Sequence, residues 1–414
     1  MTRMKDSGIE WIGEVPEEWG ITKLKYICRM QSGNNLTSLE ISSENDGGKI
    51  FPVYGGNGQR GYYSDFTNEG NYCLVGRQGA LAGNVHFVSG KFWATDHAIV
   101  VYEHTHTYSK YLCYLLKAMN LNQYAFETSA QPGLSVEKIL QLEMIHCPKG
   151  EQTQIADFLD KKVAQLDEVK SLLEEQIKTL EDYRRSLIYE TVTKGLDKTV
   201  PLKDSGVDWI GQIPEGWEVK HFKYVATIKD GTHDTPEYFV EGVPLITSKN
   251  LDSVQNRIDF DSAKNISYDD HIKISQRSDV KKGDILMPMI GTVGGATQVL
   301  VEKEFSIKNV ALFKVAHDEV LSRFLYYQLN SRWTNSQLSF MMSGGVQSFV
   351  SLNMLSKVKL IIPTSEEIKK INLFLDSSVG KINQMIAIKK DQIENINKQR
   401  QTLIYDYVTG KRKV

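Results

Sequence analysis

The sequence predicts an α+β chain. Two β-rich units are separated by a pair of long helices forming an antiparallel coiled coil, and the whole carries an internal pseudo-two-fold repeat. Three observations predict this. The stretch Lys5–Trp19, KDSGIEWIGEVPEEW, returns as Lys203–Trp217, KDSGVDWIGQIPEGW, and self-similarity at a long period marks two units of one design. Behind each tag, short apolar runs alternate with Gly-rich turns, the pattern of strands. Each unit then ends in a long segment with apolar residues at alternating spacings of three and four, the seam of a coiled coil.

A chain of 414 residues is too long for one core and suits two domains with connections. The expected divisions are a first β-rich domain at 1–150, a helix at 151–197, a second β-rich domain at 198–365 and a second helix at 366–414. Formal net charge is −2, so no global basic field marks a nucleic-acid binder and any such contact must come from local patches. Cys28, Cys73, Cys113 and Cys147 lack metal-type spacing and read as reduced, buried thiols. The start MTRMKDSG has no apolar signal-peptide core, and no apolar run approaches the ~20 residues needed to span a bilayer. A cytoplasmic chain without membrane contact is expected.

After the first tag, ITKLKYICRMQSG parallels VKHFKYVATIKDG, with Lys25-Tyr26 answering Lys223-Tyr224. Phe51–Phe66, Asn71–Val88 and Phe92–Tyr102 have the period-2 patterning of strands, and DILMPMIGTVGGATQVLV and FSIKNVALFKV answer them in the second unit. Gly79 and Gly83 there match Gly291 and Gly295. Each unit then turns helical, Ser109-Lys-Tyr-Leu-x-Tyr-x-Leu116 matching Ser322-Arg-Phe-Leu-x-Tyr-x-Leu329. Ser135 and Ser351 read as N-caps of a short helix that leads into an apolar strand ending at Pro148 or Pro363. The register between copies grows from 198 at the tags to 213 and then 216, so the second unit carries insertions.

The long helices are expected over about Glu151–Val192 and Glu366–Val408. Leu159, Leu166, Leu173, Leu180 and Leu187 recur every seven residues, and Leu375, Ile382, Lys389, Ile396 and Leu403 form the equivalent row. A second row holds Val163, Lys170, Ile177 and Arg184 against Val379, Ile386, Ile393 and Arg400. A helix of ~60 Å at ~1.5 Å per residue cannot be covered by its own small domain, so its seam needs a partner. From Glu151 to Asp197 there are 7 basic and 11 acidic residues, and from Glu366 to Lys413 there are 10 and 6. The opposite balances, −4 and +4, favour pairing of the two helices with each other. Because the first ends where the second unit begins and the second starts where that unit ends, they must run antiparallel.

Motifs for chemistry are sparse. Gly56-Asn-Gly58-Gln-Arg-Gly61 matches G-x-G-x-x-G, but YYSDF follows where a dinucleotide site needs a helix, and a β-hairpin is the better account. There is no Walker A sequence, no Pro-Pro for an adenine methyltransferase centre, no HExxH and no GxSxG. Glu103-His-Thr-His106 is a weak metal pattern on a loop, and no metal site is expected. Asp96 and His97 lack a nucleophile and read as hydrogen-bonding groups. Polar and basic residues do collect on the Gly-rich turns. They are Asn57, Gln59, Arg60, Arg77 and Gln78 in the first unit, and His233, Lys249, Asn250, Lys308, Asn309 and Gln347 in the second. These types read base edges and hold phosphates, although each could singly be a solvated turn residue.

Two W-I-G-x-[VI]-P-x-x-W tags, two variable β-rich units and two long helices sharing Phe158-Leu-Asp160/Phe374-Leu-Asp376 and Leu187-Ile-Tyr189/Leu403-Ile-Tyr405 together resemble the specificity subunit of a type I restriction–modification system, over essentially the whole chain. The resemblance implies two target recognition domains, each binding one half of a bipartite, asymmetric sequence in double-stranded DNA, with the helical pair as a ruler. It implies a non-catalytic, cofactor-free subunit. Two methyltransferase subunits would supply S-adenosylmethionine chemistry, and restriction/translocase subunits would bring ATP and Mg. Three other readings stay open: a stand-alone bipartite DNA-binding or anti-restriction module, an enzyme such as a nuclease with a diverged centre, and a scaffold joined by a coiled coil.

Overall fold

A computed structural model describes residues 3–79, 82–128, 131–290, 294–315, 318–342 and 349–414. The chain divides into two compact units, Met1–Leu173 with Asp391–Val414, and Glu174–Lys390. Each unit therefore combines one tag, one globular part and a stretch of both long helices. Those helices are Lys149–Lys194 and Ser365–Val408.

In the first unit the strands Cys28–Ser32, Ala98–Glu103, Asn68–Gly76, Val85–Ala94, Phe51–Gly55 and Gly58–Tyr63 form one sheet in that spatial order. The literal G-x-G-x-x-G lies in the antiparallel hairpin of Phe51–Gly55 with Gly58–Tyr63, as the aromatic residues after it require. Helix Ser109–Ala118 covers the sheet with Tyr111, Leu112, Cys113, Leu115 and Leu116 buried. Ser135 caps helix Val136–Leu140, accepting from the Lys138 amide at 3.4 Å. The strand Glu143–His146 then returns across the chain to pair with Gly20–Lys23 beside the tag.

The second unit repeats this plan with a break. Ser351 caps Leu352–Lys357, and Lys359–Ile362 returns to pair with Glu218–His221. Its sheet, however, is split. Thr227–Asp230, Val310–Lys314, Ile285–Pro288 and Thr297–Gln298 form one four-stranded sheet, while Lys264–Ile266, Val243–Ile246 and Ser306–Ile307 form another. In the first unit the single strand Val85–Ala94 pairs on both sides, antiparallel with Asn68–Gly76 and parallel with Phe51–Gly55. Its counterpart is interrupted between Gln298 and Ser306, so one ladder becomes two. Helix Tyr268–Ser275 belongs to the insertion that the drifting register announced, and the helix expected from Ser322 starts earlier, at Glu319, capped by Asp318.

The tags fold alike because their turn chemistry is alike. Asp6 accepts from the Gly8 amide and Asp204 from the Gly206 amide, both at 2.9 Å. Ser7 and Ser205 accept two residues on, from Ile9 and Val207. Each makes a hairpin, Met4–Asp6 with Glu14–Pro16 and Leu202–Asp204 with Gln212–Pro214. The final tryptophan of each tag is buried and donates to the start of a long helix: Trp19 Nε1 to Glu151 and Trp217 Nε1 to Glu367, both at 3.0 Å. Each tag also receives the end of the other long helix. Tyr405 donates to the Trp11 and Ile12 carbonyls at 3.0 and 3.1 Å, and a side chain at Gly410 would strike Pro16 and Trp19. In the second unit Gly195 takes that position against Trp217. A tag is thus a clamp on one helix start and one helix end.

A second repeated contact explains two more shared motifs. Lys110 and Tyr114 of the first Ser-Lys-Tyr-Leu-x-Tyr segment both bind Asp160 of Phe-Leu-Asp, Tyr114 at 2.8 Å. Arg323 and Tyr327 bind Asp376 in the same way, Arg323 Nε at 2.7 Å. A cation and a phenol in each globular part thereby fasten the first turns of its long helix.

The helices pair antiparallel in both units. In the first, Phe158 packs on Tyr407 with ring centroids 4.5 Å apart and Arg400 meets Asp167 at 3.4 Å. In the second, Arg184 donates to Asn383 at 2.6 Å and Lys389 to Gln176 at 2.5 Å. Rising numbers on one helix meet falling numbers on the other. Leu159, Leu375 and Ile382 are buried, and Leu166, Leu173, Leu180, Leu187, Ile393, Ile396 and Leu403 are half-buried, while flanking Val169, Leu172 and Ile388 are exposed. Lys389 keeps its place in the seam by reaching across to the Gln176 amide.

All four cysteines are free and buried. Burial, with Glu103 adding to it, pushes the Cys28 thiol up to about 12, and burial does the same for Cys147, up to about 12. Thiolate is the reactive form. Because all four are buried, Cys113 included although its hydrogen bond with Cys73 lowers that thiol, a thiol reagent at neutral pH is expected to leave the native chain untouched and to titrate four groups after denaturation; rapid labelling of the native protein would contradict this packing.

Candidate nucleic-acid interface

The turns that carry the candidate residues lie at one and the same edge in each unit, because the strand ends bring them there. In the first unit the parallel strands Phe51–Gly55 and Val85–Ala94 end together, the Thr95 amide donating to Tyr54 O at 2.9 Å. In the second, Val243–Ile246 and Ser306–Ile307 end together, the Lys308 amide donating to Ile246 O at 2.9 Å. A third segment crosses below. Gly33 lies so close to Ala94 O that a Cβ would sit 2.3 Å away, and Gly231 so close to Ile307 O that it would sit 2.0 Å away; only glycine permits these approaches. The central strand completes the edge: Arg77 N donates to His97 O at 2.9 Å, and Met289 N to Asn309 O at 3.3 Å.

Onto this edge the first unit places Asn57, Arg77 and Gln78, with Gln59 and Arg60 following on the hairpin's second strand. Asn57, Gln59, Arg60 and Gln78 are exposed and Arg77 is half-buried. The Arg77 backbone is held from two sides, its carbonyl accepting from Leu134 N at 2.9 Å. Among the described residues its guanidinium has no hydrogen-bond partner, and neither do the side chains of Gln59 and Gln78. Asn57 accepts from Asn84 Nδ2 at 3.3 Å, and Arg60 donates to Ser38 Oγ at 3.3 Å.

The second unit places His233, Lys249, Lys308 and Asn309 on the equivalent edge. His233 binds through both ring nitrogens, 3.0 Å from Asp230 Oδ2 and 2.9 Å from Asn309 Oδ1. Asp230 is buried and also accepts from Arg277 Nε at 2.8 Å. This chain fastens the 231–235 loop to the turn at Asn309, whose φ of 55° places it in the left-handed region. Lys308 donates to Thr235 Oγ1, and Lys249 is exposed. Asn250 corrects the expectation. It is only 5% exposed, its Oδ1 accepts from Thr247 N at 2.9 Å, and its Nδ2 donates to Asp259 O and Ser262 Oγ at 3.3 and 3.1 Å. Its amide is consumed in closing its own loop, so it shapes the edge without facing outward. Gln347 and Gly291 lie outside the described residues.

Several residues at the edge escaped the sequence reading. Asn84 is tied to Asn57, and Thr95 occupies the position that Lys308 holds in the other unit, with His97, expected only as a hydrogen-bonding group, in that of Asn309. Asp230 and Arg277 act behind His233. Residue-by-residue alignment of the two repeats through Gly33 and Gly231 would have found the Thr95–His97 turn. Nothing in the sequence marks Arg277, which reaches Asp230 from 47 residues away.

The chain matches a family model, curated relatives and a solved structure. The family model described as type I restriction modification DNA specificity domain matches residues 16–180 and 214–397, both repeats and most of the chain. The type I restriction enzyme EcoprrI specificity subunit of Escherichia coli is 41% identical over 138 residues, 33% of this chain and 34% of the relative; the matched stretch thus spans about a third of that protein. The putative type I restriction enzyme MjaX specificity subunit of Methanocaldococcus jannaschii is 24% identical over 442 residues, 97% of this chain and 96% of the relative. A solved chain from work on complex assembly and conformational transition of the type I R-M system shares the fold, with a TM-score of 0.64 at 14% identity over 96% of this chain and 99% of that one. With the duplicated tags and the paired helices, the family-model match over most of the chain shows that it belongs to the type I restriction–modification DNA specificity family.

Proposed function

We propose that this subunit binds a bipartite, asymmetric sequence in double-stranded DNA, one half read by each equivalent edge, with the helical pair setting the gap. The observation that carries this is the coincidence of the two edges. One backbone arrangement presents Asn57, Arg77 and Gln78 in one unit and His233, Lys249, Lys308 and Asn309 in the other. Equal scaffolds with unequal side chains suit unequal half-sites, since Arg reads guanine and Asn reads adenine through paired donors and acceptors. In this reading the subunit recruits two methyltransferase subunits that use S-adenosylmethionine. Restriction/translocase subunits that use ATP and Mg join through the complex, in the cytoplasm. A chain of net charge −2 fits a role in which partners supply much of the phosphate grip. Among the described residues no helix is long and apolar enough to cross a membrane.

The test is co-expression with the methyltransferase partner and mapping of methylated adenines. Two constant half-sites at one fixed spacing are expected, and methylation scattered over unrelated sequences would overturn the proposal. Within the same assay, Arg77→Ala is expected to relax or weaken one half-site only, by about 1–3 kcal/mol if the guanidinium makes a bidentate base contact. Equal weakening on all sequences would reduce Arg77 to a phosphate contact.

A further inference from the structure

A second polar concavity lies beside the reading edge of the first unit. It is a cleft of about 870 Å³ between the start of strand Val85–Ala94 with Asn84 and His86, the end of helix Ser109–Ala118 and the turn after it with Lys117 and Asn122, and the last turns of the second long helix with Asn397 and Arg400. Its chemistry is one-sided. Two permanent cations and several side-chain amides line it, and no carboxylate is among its lining residues, although the chain as a whole is slightly acidic. Burial, followed by the nearby Lys117 ammonium, depresses the basicity of His86, whose Nε2 is buried without a partner among the described residues. Donors thus converge on a space whose own lining carries no carboxylate, Asp167 standing behind Arg400.

The cleft is continuous with the edge already described. Asn84 lines it and at the same time donates to Asn57 at 3.3 Å. We propose that this cleft binds the phosphodiester backbone next to the first half-site, with Lys117 and Arg400 as its phosphate contacts. The proposal rests on the DNA reading above and adds to it a contact made by the long helix itself. A polymeric anion suits the site better than a small free one. Lys117 and Arg400 are half-exposed, so each holds an isolated anion weakly against solvent and salt, whereas each neutralised backbone phosphate releases condensed counterions. Arg400 also pairs with Asp167 at 3.4 Å, which orients the guanidinium from the side.

The experiment measures the affinity of the full chain, assembled with its methyltransferase partner, for a synthetic duplex bearing the mapped target, over a range of KCl concentrations. Lys117→Gln and Arg400→Gln are each expected to lower the slope of log K against log salt by about 0.9 and to weaken binding severalfold at low salt. The methylated sequence should stay the same. Asp167→Asn removes the ion pair but keeps the cation, and should leave the slope at the parental value. Lys117→Arg should restore it, which separates lost charge from a folding defect. Unchanged slopes in both Gln variants would overturn the proposal. Loss of methyltransferase co-purification with DNA affinity intact would overturn it in favour of a protein-docking face. Saturable ³¹P line broadening of inorganic phosphate by the parent protein, abolished in Lys117→Gln without a change in the DNA slope, would overturn it in favour of a free-anion site. Failure of the parent complex to select any sequence would instead defeat the underlying DNA reading, and is seen before any variant is made.

Discussion

Trp217→Ala is expected to destabilise its unit by about 3–5 kcal/mol, the usual cost of emptying a buried aromatic site. Trp217 is 1% exposed, its indole donates to Glu367 at 3.0 Å, and its ring lies against Gly195. Removing it therefore opens a cavity at the point where the tag, the end of one long helix and the start of the other converge. Trp217→Phe keeps much of the volume and loses the indole donor, so a smaller cost, about 1 kcal/mol for the hydrogen bond plus a packing term, is expected. Trp19→Ala should behave likewise in the first unit, since Trp19 is 2% exposed and bonded to Glu151 at the same distance. Denaturant unfolding monitored by far-UV circular dichroism measures these differences. An Ala variant within about 0.5 kcal/mol of the parent, the range of ordinary surface changes, would show that the tag is not the junction described.

Adding one heptad to both long helices is expected to move the spacer of the methylated sequence by about three base pairs. The insertion belongs between Leu173 and Glu174 and between Lys390 and Asp391, where the compact units divide. Seven residues lengthen a helix by ~10.5 Å at 1.5 Å each, and base pairs stack every ~3.4 Å. A heptad nearly restores the helix face, whereas three base pairs turn the duplex by about 100° at ~10.5 base pairs per turn. The longer subunit therefore meets a half-site rotated away from it, and methylation at the new spacing should be less efficient than at the old. Sequencing of methylated sites reads both effects. A spacer that stays constant would remove the ruling role proposed for the helices.

Why some of this was legible in advance and some was not follows from the range of each interaction. The tags, the caps at Ser135 and Ser351, the strand character of the G-x-G-x-x-G segment and the seam are written in local turn chemistry and periodicity, which act within a few residues. The repeat made them readable twice. The antiparallel sense of the helices was also readable, because it follows from the order of the elements. The split sheet of the second unit was not, because it depends on where one strand is interrupted between Gln298 and Ser306. Asn250 was misjudged for the same kind of reason. Its residue type suits base reading, but its neighbours Thr247, Asp259 and Ser262 claim both ends of its amide.

The sequence by itself determined the duplication, the α+β class, the pairing of the helices and the family resemblance, since all four rest on pattern, period and order. Only the tertiary structure decided that Lys110 and Tyr114 hold Asp160, that Arg277 and Asp230 stand behind His233, and that each tag grips one helix start and one helix end. These contacts join residues far apart in the chain, and side chains of the same type elsewhere carry the same local signal. What distinguishes them is which strand ends and helix turns meet in space, and that is settled by packing.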